Sequence, residues 1–155
     1  EIRPFWDDLA SWMLQGSFAS LVFSRFEREA RERFGASLAD LEFAHEALVV
    51  RDHTDYALGP HTDHPGKVLS LLFYCPDDDS KKHLGTSIYK PIEPSFRCAG
   101  GPHYPHEMFK RVMTMEYRPN ALFAFFKNDR AFHGVEPIRD AHVSRDLILY
   151  DIRAT

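Results

Sequence analysis

Apolar residues recur at two different periods along this chain, and the period changes near residue 42. Before that point the spacing is helical. Phe5, Leu9, Trp12 and Met13 fall on one face, and Gly16 is expected to end the segment. Ser24 and Glu27 form an S-x-x-E pattern, which predicts a capping box at the start of the next helix. Phe26, Ala30 and Phe34 then sit four apart as an apolar stripe. Arg25, Arg28, Glu29, Arg31 and Glu32 fill the opposite side, most simply a solvated face, and Gly35 supplies the stop.

From Glu46 onward the pattern becomes short strands between turns. Strands are expected near Ala47–Asp52, Lys67–Cys75, Thr86–Ile92, Val112–Arg118, Ala121–Phe126, Ala131–Val135 and Val143–Ile152. Turn signals separate them, among them His64-Pro65-Gly66, Pro76-Asp77-Asp78-Asp79 and Pro119-Asn120. Seven or eight short strands at this spacing predict a mainly β fold, a sandwich or barrel with a jelly roll as first choice. The N-terminal helices would pack on its outside. The whole of 1–155 reads as a single domain, with 1–42 as helical support and 46–153 as the β-barrel.

Composition changes this picture little. The 155 residues include 13 Phe, 6 Tyr and 2 Trp, ample for a packed core, so disorder is not expected. The longest unbroken apolar run is Ala121 to Phe126, far short of the roughly 20 residues a membrane helix needs. The formal charge is −4 and no Lys/Arg-rich block occurs, which argues against a nucleic-acid partner. Cys75 and Cys98 are too few for a disulfide scaffold, read as ordinary half-buried thiols, and favour a reducing, cytoplasmic setting. No signal-peptide pattern is expected, and Glu1 in place of Met fits a trimmed chain.

The chemistry concentrates in the stretch Asp52 to His64, which holds two His-Thr-Asp tripeptides. Such a tripeptide is weak by itself. The second, His61 to Asp63, has the better context: in an extended segment residues i and i+2 point to one side, so a nitrogen and a carboxylate oxygen could share a point. His53 and Asp55 form the weaker rival, and His64 reads as a turn residue. A second His from elsewhere would complete a set of three. Two His and one carboxylate on one side of a metal leave open positions, which suits non-heme Fe(II) and is also compatible with catalytic Zn²⁺. His133, following the apolar strand Ala121–Phe126, is the natural third ligand. Twelve residues later, Arg145 shares strand parity with Leu147 and Leu149. If that row faces inward, Arg145 is a lone cation in an apolar interior, costly unless a ligand carboxylate pairs with it. Both rows of this strand contain apolar residues, so parity leaves the direction open. The bland alternative pairs Arg145 with Asp146 or Asp151. His103, Tyr104 and His106 lie in a Gly/Pro-rich loop, most simply a surface loop.

Taken together, Tyr56-x-x-Gly59-x-His61-x-Asp63, the strand end Leu72-Phe73-Tyr74, His133-x-Val135-x-Pro137 and Arg145-x-x-Ile148 resemble the Fe(II)/2-oxoglutarate-dependent oxygenases, in particular the prolyl-hydroxylase-like branch. The resemblance covers about two thirds of the chain. It implies a double-stranded β-helix, a jelly-roll or cupin-like barrel, with His61, Asp63 and His133 as iron ligands. It implies that Arg145 binds the distal carboxylate of 2-oxoglutarate, with Tyr74 hydrogen-bonded to the same group. The implied reaction consumes O₂ and 2-oxoglutarate, releases succinate and CO₂, and hydroxylates a small-molecule or protein substrate. The spacing from His133 to Arg145 is slightly long for that branch, and Thr86–Ile92 lacks its double-Gly-acid pattern. Iron affinity is expected to weaken as pH falls through the His titration range. Two other readings remain: a cupin-like metal enzyme that does not use 2-oxoglutarate, and a non-catalytic binding barrel.

Overall fold

In a computed structural model, which describes residues 2–155, three helices precede eight strands. The helices are α1 (Arg3–Met13), α2 (Gly16–Ser24) and α3 (Glu27–Phe34). The strands are β1 (Phe43–His53), β2 (Leu58–His61), β3 (Lys67–Tyr74), β4 (Ser87–Pro91), β5 (Phe109–Thr114), β6 (Ala121–Phe126), β7 (His133–Val135) and β8 (Ser144–Ala154). They form two four-stranded sheets, ordered β1-β8-β3-β6 and β2-β7-β4-β5, with every pairing antiparallel. The mainly β expectation agrees with this architecture. No helix among the described residues is long and apolar enough to cross a membrane.

Alternation along the central strands decides what each sheet face does. On β3 and β8, Leu69, Leu71, Tyr150 and Ile152 point to one side, where Met13 and Ala30 of the helices pack against them. Leu9, Phe18, Val22, Phe26 and Phe34 extend that layer, so the helices cover one face of the first sheet as expected. The other side carries Leu72, Tyr74 and Leu147, which pack with Tyr117, Phe123 and Ile138 in a second core. A third cluster of Tyr89, Cys98, Phe109 and Phe132 forms where the segment after β4 folds back on the second sheet.

Several local expectations are corrected. Gly16 opens α2 rather than ending α1, which stops at Met13. The capping box does not form: α2 runs through to Ser24, whose hydroxyl donates to the Leu21 carbonyl, and Phe26 caps α3. Gly35 does stop α3, with φ of 56°, where a side chain would be strained. Phe5 and Trp12 remain 62% and 51% exposed, so only half of the α1 stripe is buried. Strand β5 begins three residues early, because Phe109 is drawn into the aromatic cluster. At its far end Tyr117 leaves the ladder to sit in the second core. Strand β2 has no counterpart in the sequence reading. It contains Pro60, and an edge strand tolerates the missing N–H.

Candidate metal centre and its cavity

His61 ends β2 and His133 opens β7, and the two residues are direct partners across that antiparallel pair. Each ring is turned by the same local device. Nδ1 of His61 lies 3.0 Å from the Gly59 carbonyl, and Nδ1 of His133 lies 3.0 Å from the Ala131 carbonyl. A carbonyl only accepts, so Nδ1 carries the proton and Nε2 keeps its lone pair in both rings. Asp63, two residues past β2, places Oδ1 3.8 Å from His61 Nε2 and 3.7 Å from His133 Nε2. All three ligand atoms lie within 4.8 Å of one another, a spacing at which one ion can be shared. The three residues predicted as ligands are therefore brought together, each only 8% exposed. His53 and Asp55 stay exposed and outside the group. His64 is a turn residue, its Nδ1 accepting from the Gly66 N–H.

The surroundings hold this donor set in the protonation states a metal requires. Burial pushes the His61 imidazole down to about 4, assisted by neighbouring His133 and opposed by the Gly59 carbonyl and Asp63. Burial also lowers His133, against the pull of Asp63. For Asp63, burial works upward but loses to His133, Lys67, the Ser70 hydroxyl and His61, so its carboxyl stays below the usual range. Neutral imidazoles thus persist to more acid pH than an ordinary His allows, which moves the expected loss of metal affinity below the usual His range.

A further layer, which the sequence reading did not reach, supports Asp63. The Ser70 hydroxyl lies 2.7 Å from Asp63 Oδ2 and 2.9 Å from Asp151 Oδ1. Lys67 Nζ sits 2.8 Å from Asp151 and 3.7 Å from Asp63, balancing the two carboxylates. With Oδ2 engaged by Ser70, Oδ1 is the oxygen left for an ion. The available signal was one polar residue, Ser70, within the apolar run Val68 to Phe73.

The site opens on a cavity of about 220 Å³, lined from both sheets. His61, Asp63, His133 and Lys67 stand in its wall, as do Phe125 and Arg145. Arg145 does share the inward row with Leu147, and it is 2% exposed. It is not a lone cation. Nη1 donates to Asp52 Oδ2 at 2.6 Å and Nη2 to Thr86 Oγ1 at 3.0 Å. The partner is Asp52, opposite Arg145 across β1 and β8, rather than Asp146 or Asp151. Asp146 is engaged by Arg51 instead. Nε of Arg145 is the one buried side-chain nitrogen or oxygen among the described residues with no partner. Tyr74 is buried beneath Arg145, whose guanidinium carbon stands 5.6 Å from the ring centroid. The Tyr74 hydroxyl accepts from the Thr86 N–H at 3.1 Å, and Tyr74 itself is not part of the cavity wall.

The segment 98–105 covers the open edge of β2. The Tyr104 N–H donates to the Pro60 carbonyl, and Thr62 Oγ1 donates to the Cys98 carbonyl. This brings exposed His103 against the site, its ring centroid 4.7 Å from that of His61. Cys98 is buried and Cys75 exposed, and both are free, so neither is the half-buried thiol expected.

The fold has solved counterparts. A Pseudomonas putida prolyl-4-hydroxylase superposes with a TM-score of 0.50 at 12% identity, over 99% of this chain and 80% of that one. EvdO2 from Micromonospora carbonacea var. aurantiaca, complexed with 2-oxoglutarate, gives 0.48 at 13% identity, over 96% of this chain and 64% of that one. HygX from Streptomyces hygroscopicus, with nickel and 2-oxoglutarate bound, gives 0.45 at 15% identity, over 99% and 77%. No family model matches the chain, and no curated protein matches it significantly. The architecture is therefore that of the prolyl-4-hydroxylase fold, in agreement with the resemblance read from the motifs.

Proposed function

We propose that this chain is an Fe(II)- and 2-oxoglutarate-dependent dioxygenase on a double-stranded β-helix, hydroxylating a small-molecule or protein substrate with release of succinate and CO₂. The observation that carries the reading is the convergence of His61, Asp63 and His133 on one cavity wall that also holds Arg145. Two neutral imidazoles and one ionised carboxylate form the donor set that non-heme Fe(II) takes, with positions left over. Arg145 stands in the same wall and keeps N–H groups beyond those given to Asp52 and Thr86, donors that a carboxylate can take. A cavity of about 220 Å³ has the scale of a short keto acid rather than a large cofactor.

In this reading the ferrous ion and 2-oxoglutarate supply the oxidising chemistry, and the protein supplies ligation, orientation and exclusion of water. His61, Asp63 and His133 hold the ion. Arg145 fixes the far carboxylate of 2-oxoglutarate, while Thr86 holds the guanidinium. Tyr74 supports that group from below through Thr86 and its ring. Leu72, Phe125, Leu147 and Leu149 keep the space between the two ends apolar. Two unpaired cysteines fit a reducing, cytoplasmic setting.

The decisive experiment adds Fe(II) and then 2-oxoglutarate under argon and follows visible absorbance. A weak charge-transfer band that needs both additions is expected. Stoichiometric iron with no band on adding the keto acid would reject 2-oxoglutarate as the cosubstrate. One observation favours a second reading, a cupin-like metal enzyme without 2-oxoglutarate: Arg145 already has a carboxylate partner in Asp52. Succinate formation separates the two, since only the first produces it.

A further inference from the structure

Resting on that reading, we propose that Asp52 is a specificity-determining residue of the keto-acid pocket, a built-in rival of the ligand's far carboxylate for Arg145. Asp52 and Arg145 are opposed residues of β1 and β8, and both line the cavity. Their side chains are 6% and 3% exposed and meet at 2.6 Å. Removing Asp52 from the arginine would strand a buried carboxylate, a costly state, so a ligand does not displace it. The ligand takes what is left of the guanidinium. Nη1 gives one N–H to Asp52 and Nη2 gives one to Thr86, which leaves the second N–H of each beside Nε–H. A second carboxylate docking on the remaining N–H groups therefore shares one cation with Asp52.

The consequence concerns charge. A pocket that presented a bare guanidinium would favour a dianion strongly over a keto acid with an uncharged tail. Here the arginine's charge is balanced in advance, so the far end recognises its ligand through a directed hydrogen bond more than through net charge. Asp52 thereby lowers the affinity for 2-oxoglutarate and narrows the preference for it over neutral-tailed analogues.

The test uses the full chain loaded with redox-inert Zn²⁺ and measures binding by calorimetry, independent of turnover. Wild type and Asp52→Asn are titrated with 2-oxoglutarate and with 2-oxoglutaramate, whose far end is an uncharged amide. Asn keeps an acceptor for Nη1 and removes the charge. The expected result is roughly tenfold tighter 2-oxoglutarate in Asp52→Asn, with 2-oxoglutaramate unchanged. Unchanged or weaker 2-oxoglutarate in the variant would overturn the proposal, as would equal tightening of both ligands. Should Asp52→Asn fail to fold, wild type alone decides. A preference of less than about thirtyfold for 2-oxoglutarate over the amide supports the balanced arginine, and a larger one refutes it. If wild type and variant bind Zn²⁺ but neither binds 2-oxoglutarate, the keto-acid function itself fails, a result distinct from equal binding by both.

Discussion

His61 and His133 are direct partners across the β2–β7 strand pair, and each donates Nδ1–H to a carbonyl two residues earlier in its own chain segment. The pairing sets the distance between the rings and the carbonyls set their tautomer, so the backbone arranges both lone pairs before any ion arrives. His61→Ala or His133→Ala should each abolish stoichiometric metal binding and turnover while leaving far-UV circular dichroism unchanged. Metal analysis after gel filtration checks it, and full metal retention in either variant would remove that residue from the site.

Stability of the metal-free protein should fall in mild acid. His61 is held near 4 in the fold against an ordinary value of 6.5. Below 6.5 the unfolded chain takes up a proton that the folded chain refuses, so the contribution is complete above that pH and disappears as pH drops toward 4. His133 acts in the same direction. Urea midpoints of the metal-free protein should decline between pH 7 and pH 4.5. A flat profile would contradict buried, neutral imidazoles.

Ser70→Ala removes the hydroxyl lying between Asp63 and Asp151. The expected cost is about 1–3 kcal/mol of stability, together with a 10–100-fold loss of metal affinity, because Asp63 Oδ2 loses the contact that orients Oδ1. Competition against a chelator of known affinity measures the second effect. Unaltered affinity would show that Lys67 suffices to place the carboxylate.

Arg145→Ala should raise the 2-oxoglutarate requirement far more than the iron requirement. It should also cost about 3–5 kcal/mol of stability, because Asp52 is left buried and unpaired. The double variant Arg145→Ala/Asp52→Ala should recover much of the stability without recovering keto-acid binding. Urea unfolding beside a keto-acid titration separates the two effects.

Gly100 and Gly101 offer a matched pair. Both have a strongly positive φ, 131° and 138°. A Cβ on Gly100 would meet the Asp63 carbonyl oxygen at 2.3 Å, whereas nothing lies within 4 Å of one on Gly101. Both alanine variants should lose stability through backbone strain, and only Gly100→Ala should also weaken metal binding by shifting Asp63. Equal metal affinities in the two would show that segment 98–105 does not position the ligand.

The period of the apolar residues determined the mainly β class, the helices on the outside and strands such as Ala121–Phe126, because alternation and four-residue spacing are local properties of the chain. The residue types of the candidate metal centre and their order were equally legible. Parity grouped Arg145 with Leu147 but left their direction open, and the fold turns that row inward. Tertiary structure alone decided what those residues meet. Edge strand β2 owes its existence to pairing with β7, and no pattern within Leu58–His61 encodes it. The partner of Arg145 lies 93 residues away on β1, where Asp52 reads only as the last residue of an expected strand. Ser70, Lys67 and Asp151 become one cluster only when β3 and β8 adopt their register. Hydrophobic spacing specifies which face a residue takes. Which charge it finds there depends on strand register, which is fixed by contacts between residues far apart in sequence.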